Sequence, residues 1–275
     1  MSMKKLKIIF IFLFFTLVFI LKGYPAFSAG SLTALKFLAV QGNAKAQARL
    51  GTLYYLGRGL KKDYRQAVYW FTKSARQGDA LGEELLGDAY FHGNGVAKNY
   101  VLAAYWNRMA AGQGYAPGEE YLGDDYYYGY GVKQDYKTAV FWYEKAAGQG
   151  NTRAETFLGD MYAAGKGVKR DYKTSFYWYE KAASQGDPGA TVYLSNDYYF
   201  GRGVPEDLGK AFYWDARGAA GGNPKSQFNL GWDFYNGIGT TVDYGKAKYW
   251  MIKAFEGGYK PAGQFLYRHK KILGP

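Results

Sequence analysis

Along residues 151–165 (NTRAETFLGDMYAAG), Ala154, Leu158 and Tyr162 recur at every fourth position, which places them on one stripe of an amphipathic helix. The stretch that follows, residues 171–186 (DYKTSFYWYEKAASQG), opens on an aspartate able to accept backbone N–H bonds and closes on a glycine suited to a left-handed cap. The pattern therefore predicts a helix, a short turn and a second helix. Nothing in it alternates with the period of two that a half-buried strand requires.

The same hairpin recurs at a step of 36 residues. The glycine pair of the turn appears at Gly57/Gly59, Gly93/Gly95, Gly129/Gly131, Gly165/Gly167, Gly201/Gly203 and Gly237/Gly239. A tryptophan column runs Trp70, Trp106, Trp142, Trp178, Trp214, Trp250, and a leucine column runs from Leu50 to Leu266, followed by glycine at 51, 87, 123, 159 and 231 and by Ser195 in the fifth repeat. Asp63, Asn99, Asp135, Asp171, Asp207 and Asp243 form a column of helix caps, and Gly42, Gly78, Gly114, Gly150, Gly186, Gly222 and Gly258 a closing one. A glycine-rich loop feeding a helix, such as GKGVKRDY at 165–172, can cradle a phosphate. Six copies of one loop cannot each be a nucleotide site, so this one is a structural turn in which glycine accepts positive φ.

The small column Ala67, Ala103, Ala139, Ser175, Ala211, Ala247 lies one turn before the tryptophan, and Gly51 and its equivalents remove a side chain from the facing helix. The expectation is that the two helices close around the indole, each such ring contributing about 2–3 kcal/mol on burial. One hairpin cannot cover its own apolar faces, so neighbours must stack, and stability becomes a sum over nearest neighbours. Ser31 to Val40 reads as a second helix without its partner, and Pro261 to Ile272 as a first helix without its partner: two half-repeat caps.

Composition adds a compartment. Lys4, Lys5 and Lys7 precede an unbroken apolar run from Ile8 to Leu21, then Lys22 and the small-residue stretch AFSA. That is the pattern of a secretory signal over residues 1–28, with Ala26 and Ser28 at the small positions. As a helix the run would rise only about 21 Å, short of the ~30 Å hydrocarbon core. An uncleaved anchor is the alternative. The expected location is periplasmic or extracellular, with no stable membrane span after cleavage. The chain has 275 residues and a formal charge of +12; the four lysines of residues 1–28, which hold no acid, account for four of those charges and leave +8. With no cysteine, disulfides and thiolate metal sites are excluded.

The landmarks of LGDMYAAGKGVKRDYKTSFYWYEKAASQG (Leu-Gly, Gly-x-Gly-Val, Asp-Tyr, Trp-Tyr, Ala-Ala-x-Gln-Gly) resemble the Sel-one-like repeat (SLR) family, relatives of tetratricopeptide solenoids. The resemblance covers six repeats, near 43–78, 79–114, 115–150, 151–186, 187–222 and 223–258, within a single solenoid spanning 29–275. It implies an all-α fold, a right-handed α/α superhelix of six 36-residue repeats with half-repeat helical caps, used as a protein-interaction scaffold in bacterial envelope and secreted proteins. Cysteine-rich secreted members have been credited with penicillin-binding or β-lactamase activity, which is the alternative reading; this chain lacks those cysteines. The fifth repeat departs most, with Ser195 for Gly, Leu208 for Tyr and Gly218 for Ala.

On each first helix, three positions lie opposite the Leu/Tyr stripe at ~100° per residue and are expected to face solvent along a concave groove. Across the repeats they read Ala48, Glu84, Glu120, Thr156, Val192, Phe228; Thr52, Asp88, Asp124, Asp160, Asn196, Trp232; and Tyr55, Phe91, Tyr127, Ala163, Tyr199, Tyr235. Acids collect in repeats two to four and rings in five and six. Glu84/Asp88 and Glu120/Asp124 are like-charge pairs one turn apart, from which an isolated helix gains nothing. The partner-binding set expected from this is Glu84, Asp88, Phe91, Glu120, Asp124, Tyr127, Asp160, Tyr199, Phe228, Trp232 and Tyr235. A protein or peptide with a basic segment and an apolar anchor fits it; the competing reading is that the acids are solvated and the rings pack between repeats.

Catalytic chemistry finds little footing. The two histidines, His92 and His269, sit in no H-E-x-x-H pattern, the single Ser-x-x-Lys, at Ser2–Lys5, lies in the signal, and Ser195-Asn196-Asp197 is part of a repeat column. No catalytic residue, metal, cofactor or nucleic-acid partner is expected.

Overall fold

The computed structural model describes residues 29–273; the expected signal, 1–28, lies outside the described residues. The described residues divide into two compact units, one up to Gln113 and one from Gly114. Among the described residues there are fifteen helices and no strand.

The first unit holds α1 (Ala29–Val40), α2 (Ala44–Leu56), α3 (Tyr64–Ala75), α4 (Ala80–His92) and α5 (Tyr100–Gly112). The second holds α6 (Ala116–Tyr128), α7 (Tyr136–Gly148), α8 (Thr152–Ala164), α9 (Tyr172–Ser184), α10 (Pro188–Phe200), α11 (Leu208–Ala220), α12 (Pro224–Asn236), α13 (Tyr244–Glu256), α14 (Lys260–Arg268) and α15 (Lys270–Leu273). No helix of the described residues is long and apolar enough to cross a membrane.

The punctuation read from the sequence sets these bounds. Asp171 accepts from the Lys173 and Thr174 amides at the start of α9, and Asp63 does the same for Arg65 and Gln66 at α3. In the loop after α8, Gly165 ends the helix at φ 70° and Gly167 follows at φ 72°. Gly167 has a second duty, because a Cβ there would collide with the Tyr136 carbonyl of the preceding repeat. The loop is a seat for the neighbouring hairpin. The amino-terminal cap, expected from Ser31, is α1. The carboxy-terminal one, expected as an unbroken helix from Pro261 to Ile272, is interrupted at His269, whose Nδ1 lies 2.9 Å from the Phe265 carbonyl oxygen.

The core is a series of small clusters, each joining one hairpin to the next. In the first unit Leu35, Ala39, Leu50 and Trp70 form one, and Phe71, Ala75, Leu86 and Ala89 the next. In the second unit, Tyr143, Ala147, Leu158 and Met161 are followed by Tyr179, Ala183 and Leu194, then by Leu230, Phe234, Met251 and Phe265.

One expectation about this core is corrected. The space cleared by the helical glycine is filled by the residue after the tryptophan. A Cβ on Gly51 would come within 2.6 Å of the Phe71 ring, and one on Gly123 within 2.6 Å of Tyr143; Gly159 faces Tyr179 and Gly231 faces Met251 in the same way. The indole, one residue and ~100° further round, covers the edge of the cluster. Trp70 is buried, and Trp106, Trp142, Trp178, Trp214 and Trp250 are half-buried, with the exposed ring before each meeting it edge-on, as Tyr177 meets Trp178 at 5.1 Å.

Candidate functional site

The expected binding face can now be followed helix by helix. In the first unit Glu84 is buried on α4, whereas Asp88 and Phe91 are half-buried. Asp88 accepts from the Tyr55 hydroxyl at 3.3 Å, and its Oδ1 lies 2.9 Å from His92 Nδ1. Asn94 Nδ2 donates to the same Tyr55 oxygen at 3.0 Å. Phe91 stands edge-on to Tyr100 at 5.1 Å.

In the second unit Glu120 and Asp124, expected to be solvent-facing, are buried on α6. Arg153, at the start of α8, reaches back across the junction: one nitrogen bonds Glu120 and the other lies 2.7 Å from Asp124 Oδ2. Asn151 Nδ2 donates to Glu120 at 3.1 Å, and the Tyr143 hydroxyl to Asp124 at 2.6 Å. Burial raises the pKa of both acids, and Arg153 opposes that rise. The pair that costs an isolated helix therefore clamps one repeat to the next. Asp160 repeats half of the motif, accepting from Tyr179 at 2.7 Å and Tyr193 at 3.5 Å. Burial likewise raises Asp160, and it pushes Tyr193 up to about 12.

The rings of the last two repeats divide into two groups. Phe228 packs against Tyr259 at 5.2 Å, and Tyr235 lies edge-on to Phe265 at 5.1 Å, so helix α14 occupies much of the expected apolar anchor. Trp232 touches Phe265 at 5.7 Å yet stays 41% exposed, and Tyr199 is 37% exposed. Tyr127 is half-buried and takes a hydrogen bond from Lys166 Nζ at 2.7 Å.

The burial of Glu84, Glu120 and Asp124 has one physical cause. Facing away from the partner helix of a hairpin is not facing solvent when the next hairpin stacks on that side. In the first unit α2 and α4 are in direct contact, first helix to first helix. Of the expected set, Asp88, Phe91, Tyr127, Asp160, Phe228 and Tyr235 are half-buried and Tyr199 and Trp232 exposed on their first helices.

Sequence reasoning also missed a polar pair inside each of repeats two to four, its glutamate buried. Gln113 donates to Glu83 at 2.6 Å, Gln149 to Glu119 at 2.7 Å and Gln185 to Glu155 at 2.7 Å, tying the end of each second helix to its own first helix. Two columns, one of glutamine and one of glutamate at the 36-residue step, carried that signal. Asp197, Asp215 and Asp233 in the last two repeats were missed as well; all three are buried, and burial raises them to about 7, 7 and 8. Among the described residues no group of three or more His, Cys, Asp or Glu side chains is arranged to hold a metal ion. Glu83, Glu119 and Glu155 are engaged with glutamine, Glu120 with arginine, Asp124 with arginine and tyrosine, and Asp160 with tyrosine, which suits holding helices together.

Comparison with known proteins agrees with the all-helical repeat fold. The family model described as Sel1 repeat matches residues 44–79, 80–115, 116–151, 152–187, 189–223 and 224–259. The protective antigen c5321 of uropathogenic Escherichia coli, described as displaying an SLR fold, is 36% identical with a TM-score of 0.79, over 88% of this chain and 52% of that one. This chain thus spans about half the length of c5321. A Sel1 repeat protein from Oxalobacter formigenes is 34% identical with a TM-score of 0.75, over 82% of this chain and 92% of that one. A Sel1 repeat protein of Klebsiella pneumoniae, 21% identical with a TM-score of 0.50 over 72% of this chain and 97% of that one, shares the fold alone. No curated protein matches the chain.

Proposed function

Because the chain belongs to the Sel1 repeat family, we propose that this all-α solenoid protein is an exported protein-interaction scaffold that docks a protein or peptide on the accessible strip of its first helices. The observation that carries the reading is Trp232, an indole left 41% exposed beside a finished aromatic cluster. Exposed tryptophan and tyrosine are the side chains that most often anchor interfaces. Tyr199 and Tyr127 extend the strip within the second unit. Asp88 in the first unit and Asp160 in the second, half-buried and acidic, suit a partner with a basic segment. Export is supported by the amino-terminal lysines and apolar run, and by the description of c5321 as a protective antigen.

The test is cross-linking of the protein in its native envelope, with Trp232→Ala and Tyr199→Ala beside the unaltered chain. Loss of the same cross-linked partner in either variant, with an unchanged thermal midpoint, supports the reading. Undiminished capture by both variants overturns it. Asp88→Asn and Asp160→Asn should reduce the salt sensitivity of capture, since exposed charge contacts are screened over about 10 Å at 0.1 M salt.

A further inference from the structure

Each junction of the second unit places a residue of one second helix against a residue of the next first helix. Tyr143 lies flat on Phe157 at 5.1 Å, and Tyr179 on Tyr193 at 4.4 Å. One repeat further on, the equivalent positions are Asp215 and Asn229, joined by a hydrogen bond of 3.0 Å from Asn229 Nδ2. Ser195, which stands where other repeats have glycine, donates to the other oxygen of Asp215. Asp233, on α12, is a second buried carboxyl whose Oδ2 meets no donor, and the charge of Asp215 adds to the burial that raises it. Asp215 is 3% exposed and Asp233 4% exposed, so water cannot solvate a second charge there. Two buried carboxylates that act on each other in such a place are not both ionised.

We propose that the junction between the fifth and sixth repeats is a proton-operated latch, in which Asp233 holds a proton shared with Asp215 and the contact of α11 with α12 loosens when that proton leaves. The latch does not depend on partner docking. Few charges stand near to compensate the pair. On α10, buried Asp197 is raised by its own burial, with Arg202 opposing. Lys225, at the start of α12, is the cation that acts on Asp215, as the smallest of its influences. On α13, Lys246 lies over the Phe234 ring at 5.1 Å.

The sign follows from linkage. A buried acid whose pKa is raised keeps a proton that the unfolded chain has released, so its stabilisation is complete below the ordinary carboxylate range and is lost as pH rises. For Asp233 the loss runs from its ordinary 3.8 up to about 8.

The experiment is peptide-resolved hydrogen exchange on the purified full chain from pH 5 to pH 9, corrected for the intrinsic chemical rate. Opening of α11 and α12 should increase about tenfold per pH unit for each proton released on opening, and level off above the point at which Asp233 is ionised in the folded chain. Peptides from α7 and α8, joined by the Tyr143–Phe157 stack, should show no such slope. Asp233→Asn should flatten the profile of α11 and α12. Should that variant fail to fold, the triple substitution Ser195→Gly, Asp215→Tyr, Asn229→Phe installs the glycine and ring pair of the other junctions and should make the slope shallower, since Asp233 keeps its burial but loses the neighbouring carboxyl. A flat profile in the unaltered chain, or the original slope persisting in whichever variant folds, overturns the latch.

Discussion

The junction built by Tyr179 and Tyr193 and the one built by Asp215 and Asn229 occupy equivalent places one repeat apart. In the first, two rings stack at 4.4 Å, and the Tyr179 hydroxyl caps Asp160 at 2.7 Å. In the second, a carboxyl, an amide and the Ser195 hydroxyl fill the same gap. In each, one side chain is buried and the other half-buried, and both leave the hairpins stacked. The ring junction gains from apolar area and stacking, whereas the carboxyl junction relies on hydrogen bonds whose loss exposes a buried polar group. A repeat array thus tolerates opposite chemistries at one position and differs locally in what can undo it.

The sharpest way to break the contrast is Tyr179→Ala. It removes a buried ring, leaves a cavity and strips Asp160 of its closest donor, so a loss of about 3–5 kcal/mol is expected in urea titration. Arg153→Ala comes next. It uncouples α8 from Glu120 and Asp124 and should cost about 1–3 kcal/mol at neutral pH. Burial already raises both acids, so with the arginine gone they take up protons more readily, and the deficit should shrink as pH falls. Ser195→Gly should cost about 1–2 kcal/mol, from one lost hydrogen bond and a glycine inside a helix, and should steepen the pH dependence of α11 because Asp215 loses a donor. Smallest is Asp171→Ala, at an exposed cap shared by the ordinary repeats. Hydrogen bonds from Thr174 hold Asp171 below its ordinary range, so the difference in thermal midpoint should be present above that range and vanish as pH falls through the lowered value.

The helices, their caps and the period were all legible because each is a local signal: Asp171 bonds amides two and three residues away, and Gly165 ends the helix it closes. The inner packing was less so. Columns at a 36-residue step show which residues are equivalent, but not which face the next copy covers. Glu120 and Asp124 therefore read as an open acidic strip, whereas Arg153, 33 and 29 residues further along, closes over them. The tryptophan column misled in a related way. Its regularity marked it as the plug of the hairpin, and the plug is the more variable column beside it: Phe71, Tyr143, Tyr179 and Met251 among its members. For the proposed binding strip the sequence points to the first helices, and stacking decides which of their side chains stay open.

The seat formed by the second loop glycine explains how such exchange is possible. Gly167, Gly203 and Gly239 each press against main-chain carbonyl atoms of the preceding hairpin, at Tyr136, Tyr172 and Leu208. Pitch is thereby registered backbone to backbone, at points no side-chain substitution inside the junction can shift. Mutation in the interior can then rewrite rings as acids one storey at a time, and the staircase keeps its step.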